Sequence, residues 1–153
     1  MKRLDIDSYF MKMAKVAALR STCIKRQVGC IITVDREVVS TGYNGAIKGL
    51  PHCIEEFNEC PRNVVGAHRG ERYDLCPALH AEQNAIIQAA KSSKSINGGT
   101  AYITIAPCIT CARMLINAGI HRVVIGDYPQ DEVKDIFSFV GVEVKVMEED
   151  IWK

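Results

Sequence analysis

The stretch from Leu79 to Cys111 constrains this chain more than any other. It opens with His80-Ala81-Glu82 and closes with Pro107-Cys108-Ile109-Thr110-Cys111. Each half reads as the start of a helix. Behind His80, the residues Ala85, Ile86, Ala89 and Ala90 recur at helical spacing. Pro107 suits a first helical turn, where its missing N–H has no partner anyway. Met114, Leu115 and Ala118 follow at helical spacing and stop at Gly119, a good C-terminal cap. A helix start offers unpaired N–H groups and a partial positive charge, which lower thiol pKa values. Cys108 and Cys111 lie about one turn apart, so both sulfurs can reach one ion, and His80 supplies a nitrogen. Three ligands leave the fourth tetrahedral position of Zn²⁺ for water, the arrangement of a catalytic centre rather than a closed structural one. Glu82 lies within reach of that water, where its role is to shuttle protons.

The surrounding chain alternates strands and helices. Residues 4–20 read as an amphipathic helix, with Phe10, Met11, Ala14 and Ala18 among its apolar positions. Residues 27–34 and 37–43 are β-branched and apolar, and Asp35-Arg36 between them marks a hairpin. From residue 80 the order is helix, strand (100–105), helix, strand (121–126), short helix (131–139) and strand (142–147). That alternation predicts parallel pairing in a sheet covered on both faces, with the ligand-bearing helix starts at the carboxyl ends of strands.

Composition narrows the class. The chain has 153 residues, 48% hydrophobic and 24% charged, enough for one globular domain spanning 1–153. No apolar run approaches the ~20 residues needed to cross a bilayer. MKRLDIDSYF lacks a signal-type apolar core, so the expected location is cytoplasmic, away from membranes. A net charge of +1 argues against a nucleic-acid face while leaving room for a local phosphate site. Seven cysteines in such a compartment suggest metal or catalysis rather than disulfides. Cys108 and Cys111 take the catalytic ion, and Cys30 lies in an apolar run as a small core residue. Cys23, Cys53, Cys60 and Cys76 remain, and four thiols make one closed structural Zn²⁺ site, with His68 as reserve ligand. Three of those four fall between Gly45 and Leu79, a Gly/Pro-punctuated segment without sustained periodicity. A bound metal would order such a loop by cross-linking it.

His-x-Glu followed by Pro-Cys-x-x-Cys is the signature of the zinc-dependent nucleobase deaminases. Beyond it, RSTCIKRQVGCII at 20–32, STGYNGAIKGLPHC at 40–53, GERYDLCPALHAEQNAIIQAA at 70–90 and MLINAGIHRVV at 114–124 resemble the deoxycytidylate (dCMP) deaminase family. The resemblance implies a three-layer α/β/α fold around a central mixed five-stranded sheet. It implies hydrolytic removal of ammonia from dCMP to give dUMP, feeding thymidylate synthesis, with Glu82 as proton shuttle. A structural zinc in the 45–79 loop is a frequent feature of that family. Asn44 resembles the residue that contacts the sugar in related deaminases. Lys25 and Arg26, just before the first strand, are best placed to meet a phosphate, Arg26 for its bidentate fork. His52 and Tyr128 are further pocket candidates. Related enzymes are hexamers activated by dCTP and inhibited by dTTP, with Mg²⁺, through a GYNGxPxG loop. Here that loop, with Gly42, Tyr43, Asn44, Gly45 and Gly49, carries Ile47 in place of Pro. The expectation is a hexamer with dCTP activation. Three other readings share parts of this pattern: a deaminase of another cytosine compound, such as cytidine, CMP or dCTP; a tRNA adenosine deaminase, which needs a basic face and stacking aromatics; and a non-catalytic zinc- or nucleotide-binding module, which has no use for Glu82.

Overall fold

The computed structural model describes residues 3–148. Helix α1 (Ile6–Ala18) is capped by Asp5, whose Oδ1 accepts from the Ser8 N–H at 3.0 Å. Strands β1 (Gly29–Val34) and β2 (Glu37–Tyr43) form the expected hairpin. Its two connecting residues, Asp35 and Arg36, both have positive φ (52° and 64°), as a tight hairpin turn that matches strand twist requires. After the 45–79 segment come α4 (Ala81–Lys91), β5 (Thr100–Ile103), α5 (Ile109–Asn117), β6 (Arg122–Ile125), α6 (Asp131–Phe139) and β7 (Glu143–Val146).

The five long strands make one mixed sheet in the order β2-β1-β5-β6-β7. β1 runs antiparallel to both β2 and β5, while β5, β6 and β7 are parallel. Side-chain alternation divides the core. Ile31, Tyr102 and Val124 point to one face, where they pack under Phe10, Met11 and Ala14 of α1. Cys30, Ile32, Ala101, Ile103, Val123 and Ile125 point to the other, beneath Ala85 of α4, Leu115 of α5 and Phe137 of α6. Both faces of β1, β5 and β6 are therefore covered, which explains their near-continuous apolar sequence. The result is the three-layer α/β/α arrangement expected, and Cys30 is a fully buried core residue.

Segment 45–79 departs from the sheet and returns to it. Two-residue strands β3 (Gly45–Ala46) and β4 (Ala78–Leu79) pair antiparallel, Gly45 with Leu79, and clasp the excursion at its base. Between them lie only single turns: α2 (Cys53–Glu56), α3 (Pro61–Val64) and a 3₁₀ turn at Tyr73–Leu75. No run of apolar residues here could bury a longer element, in keeping with the absence of periodicity.

Candidate active site

Both expected ligand-bearing helix starts meet at one end of the sheet. His80 and Cys108 are the N-cap residues of α4 and α5, each with extended backbone (ψ 159° and 167°). The His80 N–H donates to Gln83 Oε1 at 2.8 Å, which fixes the first turn of α4. Pro107 precedes the N-cap of α5 instead of occupying its first turn: the sulfur of Cys108 takes the capping role, accepting from the Cys111 N–H at 3.5 Å. The bend before it is held by the Ala106 N–H donating to the Asp127 carboxylate and by Thr104 Oγ1 accepting from the Gly29 N–H at 3.1 Å.

The Nδ1 of His80 lies 3.5 Å from the sulfur of Cys108 and 3.4 Å from that of Cys111. One nitrogen and two sulfurs within 4.8 Å of one another form the donor set of a tetrahedral Zn²⁺ site with an open position. Among the described residues it is the one such group of three. The polarisation of the thiols fits the same use. Hydrogen bonds from Cys111 and His80 pull the Cys108 thiol down to about 4, whereas sharing a proton with Cys108, together with burial, pushes Cys111 far up. His80 is raised, chiefly by its bond to Cys108. A cation would replace the protons these groups hold among themselves.

Glu82, on the first turn of α4, is 3% exposed and lines the same cavity. Burial pushes its carboxyl above the usual carboxylate range, opposed by a backbone hydrogen bond and the charge of His80. What seats α4 so closely is Gly42 on β2. A Cβ at Gly42 would stand 2.1 Å from the Ala81 carbonyl oxygen and 2.5 Å from the Ala85 nitrogen. This glycine of the GYNG stretch thus lets helix and strand touch.

The cavity has a volume of about 140 Å³. Lys25, Arg26 and Asn44 line it. The side chain of Asn44 is already engaged. Its Oδ1 accepts from the Val28 N–H and its Nδ2 donates to the Arg26 carbonyl, both at 2.8 Å. It clamps the segment that carries Arg26, and one Nδ2 hydrogen is left over for another acceptor. Tyr128 is 82% exposed and stands outside the lining, as does His52. Three lining residues escaped the sequence reading: Arg62, Arg69 and Tyr73. Tyr73 meets the His80 ring edge-on, centroids 4.8 Å apart, and the Arg62 guanidinium lies 4.5 Å over its other neighbour, the Tyr73 ring itself. All three belong to the irregular segment, where no periodicity could signal which side chains face inward.

Of the four remaining cysteines, Cys23, Cys60 and Cys76 lie near enough to Cys53 to act on its thiol. Cys53 opens α2, Cys60 caps α3 and Cys76 ends the 3₁₀ turn. The Ile54 N–H donates to the Thr22 carbonyl at 3.3 Å, which ties this segment to the one carrying Cys23. Burial raises the Cys53 thiol, and the proximity of Cys23, Cys76 and Cys60 raises it further. Their sulfurs are more widely spread than the His80 group, since no three lie within 4.8 Å of one another. His68 is exposed and has no such bearing on Cys53.

Comparison with known proteins agrees with this geometry. A family model described as "Cytidine and deoxycytidylate deaminase zinc-binding region" matches residues 4–127. The deoxycytidylate deaminase of Schizosaccharomyces pombe is 42% identical over 118 residues, 77% of this chain and 36% of that protein. The chain thus spans about a third of that relative's length. The deoxycytidylate deaminase of Mycobacterium phage D29 is 38% identical over 136 residues, covering 86% of this chain and 99% of the phage protein. In structure, the dCMP deaminase of cyanophage S-TIM5, crystallised in complex with dCMP and dUMP, superposes with a TM-score of 0.76. It is 30% identical, with 96% of this chain and 100% of that chain covered. With its His-Cys-Cys group at paired helix starts, its buried Glu82 and its mixed five-stranded sheet, the chain belongs to the cytidine and deoxycytidylate deaminase zinc-binding family.

Proposed function

We propose that this protein hydrolyses dCMP to dUMP and ammonia, the step that supplies dUMP for thymidylate synthesis. The observation that carries the reading is the juxtaposition of Glu82 with the His80–Cys108–Cys111 group in a cavity lined by Lys25, Arg26, Arg62 and Arg69. His80, Cys108 and Cys111 would hold Zn²⁺, which when bound makes water acidic enough to act as a nucleophile near neutral pH. Glu82 accepts the proton that water gives up and delivers it to ring N3. Water oxygen bonds to C4; Glu82, now free of its first proton, takes the second from the new C4 hydroxyl and hands it to the amine, the C4–N4 bond breaks, and ammonia leaves a C4 carbonyl behind. The deep burial of Glu82 suits this work, because a carboxyl with raised pKa both takes and returns a proton. Asn44 holds the Arg26 segment against the cavity, and Arg26 meets the phosphate.

Cys23, Cys53, Cys60 and Cys76 would hold a second Zn²⁺ that fastens the 45–79 excursion to the body of a single deaminase domain. The assembly proposed is a cytoplasmic homo-hexamer that takes dCTP or dTTP with Mg²⁺ at the Gly42–Gly49 loop. None of the described helices is long and apolar enough to cross a membrane.

A substrate panel scored for ammonia tests the reading. dCMP should be turned over, with cytidine, CMP, dCTP and tRNA far slower. Glu82→Gln should retain zinc and lose about 10²–10⁴-fold in kcat. Turnover of tRNA in preference to dCMP, or a Glu82→Gln protein of near-normal rate, would overturn it.

A further inference from the structure

A braced turn in the cysteine-bearing segment carries an arginine for which the reaction above has no role. Arg62, on α3, is buried and spends its donors on the turn ahead of it: Nε on the Glu71 carbonyl at 2.7 Å and Nη2 on the His68 carbonyl at 2.8 Å. The Ala67 N–H donates back to the Arg62 carbonyl at 2.9 Å. The His68 N–H donates to the Glu71 carboxylate, also at 2.9 Å. Turn 67–71 is therefore tied from both sides, and Arg69 stands at its tip.

From there Arg69 reaches the wall of the cavity, where its Nη2 donates to the Ala106 carbonyl at 2.8 Å. That carbonyl lies two residues before Cys108. A guanidinium has five N–H donors in a rigid fork. This bond uses one, and no carboxylate pairs with Arg69 among the described residues. Glu82 is the one carboxylate among the lining residues, against four cations. Lys25 and Arg26 come from the segment before β1, and Arg62 and Arg69 from the excursion. Arg62 is already committed to two carbonyls. Arg69 is the cation of its side that is both rigidly presented and free to take an anion with paired donors.

We propose that Arg69 is a specificity-determining residue that grips the 5′-phosphate of the nucleotide, in the cavity that Lys25 and Arg26 also line, and so separates nucleotide from nucleoside. The inference rests on the nucleotide substrate proposed above. It gives turn 67–71 a purpose: Arg62 is the positioning residue that holds the turn, and Arg69 makes the contact.

The test is calorimetric titration of dUMP, 2′-deoxyuridine and inorganic phosphate into the zinc-loaded protein and its Arg69→Gln and Arg69→Lys variants, with ammonia release from dCMP measured alongside. Arg69→Gln should weaken dUMP and phosphate by about 10–100-fold and deoxyuridine by less than about threefold, with Arg69→Lys in between. Equal weakening of dUMP and deoxyuridine would show that Arg69 only clamps the Ala106 carbonyl, and would overturn the assignment. So would unchanged dUMP binding in Arg69→Gln, or a wild-type protein that binds neither dUMP nor phosphate. If wild type binds dUMP through Arg69 yet releases no ammonia from dCMP, the proposed reaction falls and the phosphate contact stands. If it deaminates dCMP while Arg69→Gln binds dUMP normally, the phosphate contact falls alone.

Discussion

Asp7 is the most heavily engaged carboxylate away from the cavity. Its side chain is 7% exposed and accepts from Arg122 at 2.7 and 2.9 Å, from Lys145 at 2.6 Å and from the Tyr102 hydroxyl at 3.1 Å. The Arg122 bond, despite burial, holds its carboxyl well below the usual carboxylate range, while burial and the Asp7 charge push the Tyr102 hydroxyl up to about 12. Because its pKa is lower folded than unfolded, Asp7 contributes stability that is complete above about pH 4 and fades as pH falls below it. Asp7→Asn should therefore cost about 2–4 kcal/mol at pH 7, and the gap to wild type should narrow below pH ~4. Thermal melts across pH check this; a constant gap would refute it. None of this was visible in the sequence. Asp7, Tyr102, Arg122 and Lys145 come from α1, β5, β6 and β7, and only the sheet order makes them neighbours. By contrast, the placement of His80 with Glu82 and of Cys108 with Cys111 at helix starts was legible, because each pair sits within one helical turn and local geometry alone sets its spacing.

At the scale of elements, the close pairing of α4 with β2 decides where Glu82 sits. Gly42→Ala would drive a methyl group into the Ala81 carbonyl and the Ala85 nitrogen, both backbone atoms that cannot rotate away. The expected cost is about 1–3 kcal/mol of stability, with a loss of turnover from a displaced Glu82. Melting and kinetics together check it; a variant as stable and as active as wild type would show that α4 can move freely. Helix α6, the Asp35–Arg36 hairpin and all five main strands matched their sequence patterns within a residue or two, since period and turn chemistry are local properties. The elements missed were β3, β4, α2, α3 and the 3₁₀ turn at Tyr73–Leu75. Each is four residues or shorter, too brief for any period to register.

The whole molecule raises the question of how its longest irregular segment stays ordered. If Cys23 and the three loop cysteines hold metal, the protein should contain about two zinc ions per chain, and Cys60→Ser about one. That variant should also become susceptible to protease within 47–77, while the His80 site keeps its ion. Elemental analysis and limited digestion would check both; about one zinc in the wild type would remove the second site. The sequence by itself determined the order of the main strands and helices and put His80, Glu82, Cys108 and Cys111 at two helix starts, because these follow from short-range spacing and from alternation of apolar residues. Only the tertiary structure decided what lines the cavity. Arg62, Arg69 and Tyr73 come from a segment with no repeating pattern, and Tyr128 stays outside, because inward or outward direction there is set by where β3 and β4 clasp the chain and by which carbonyls Arg62 finds.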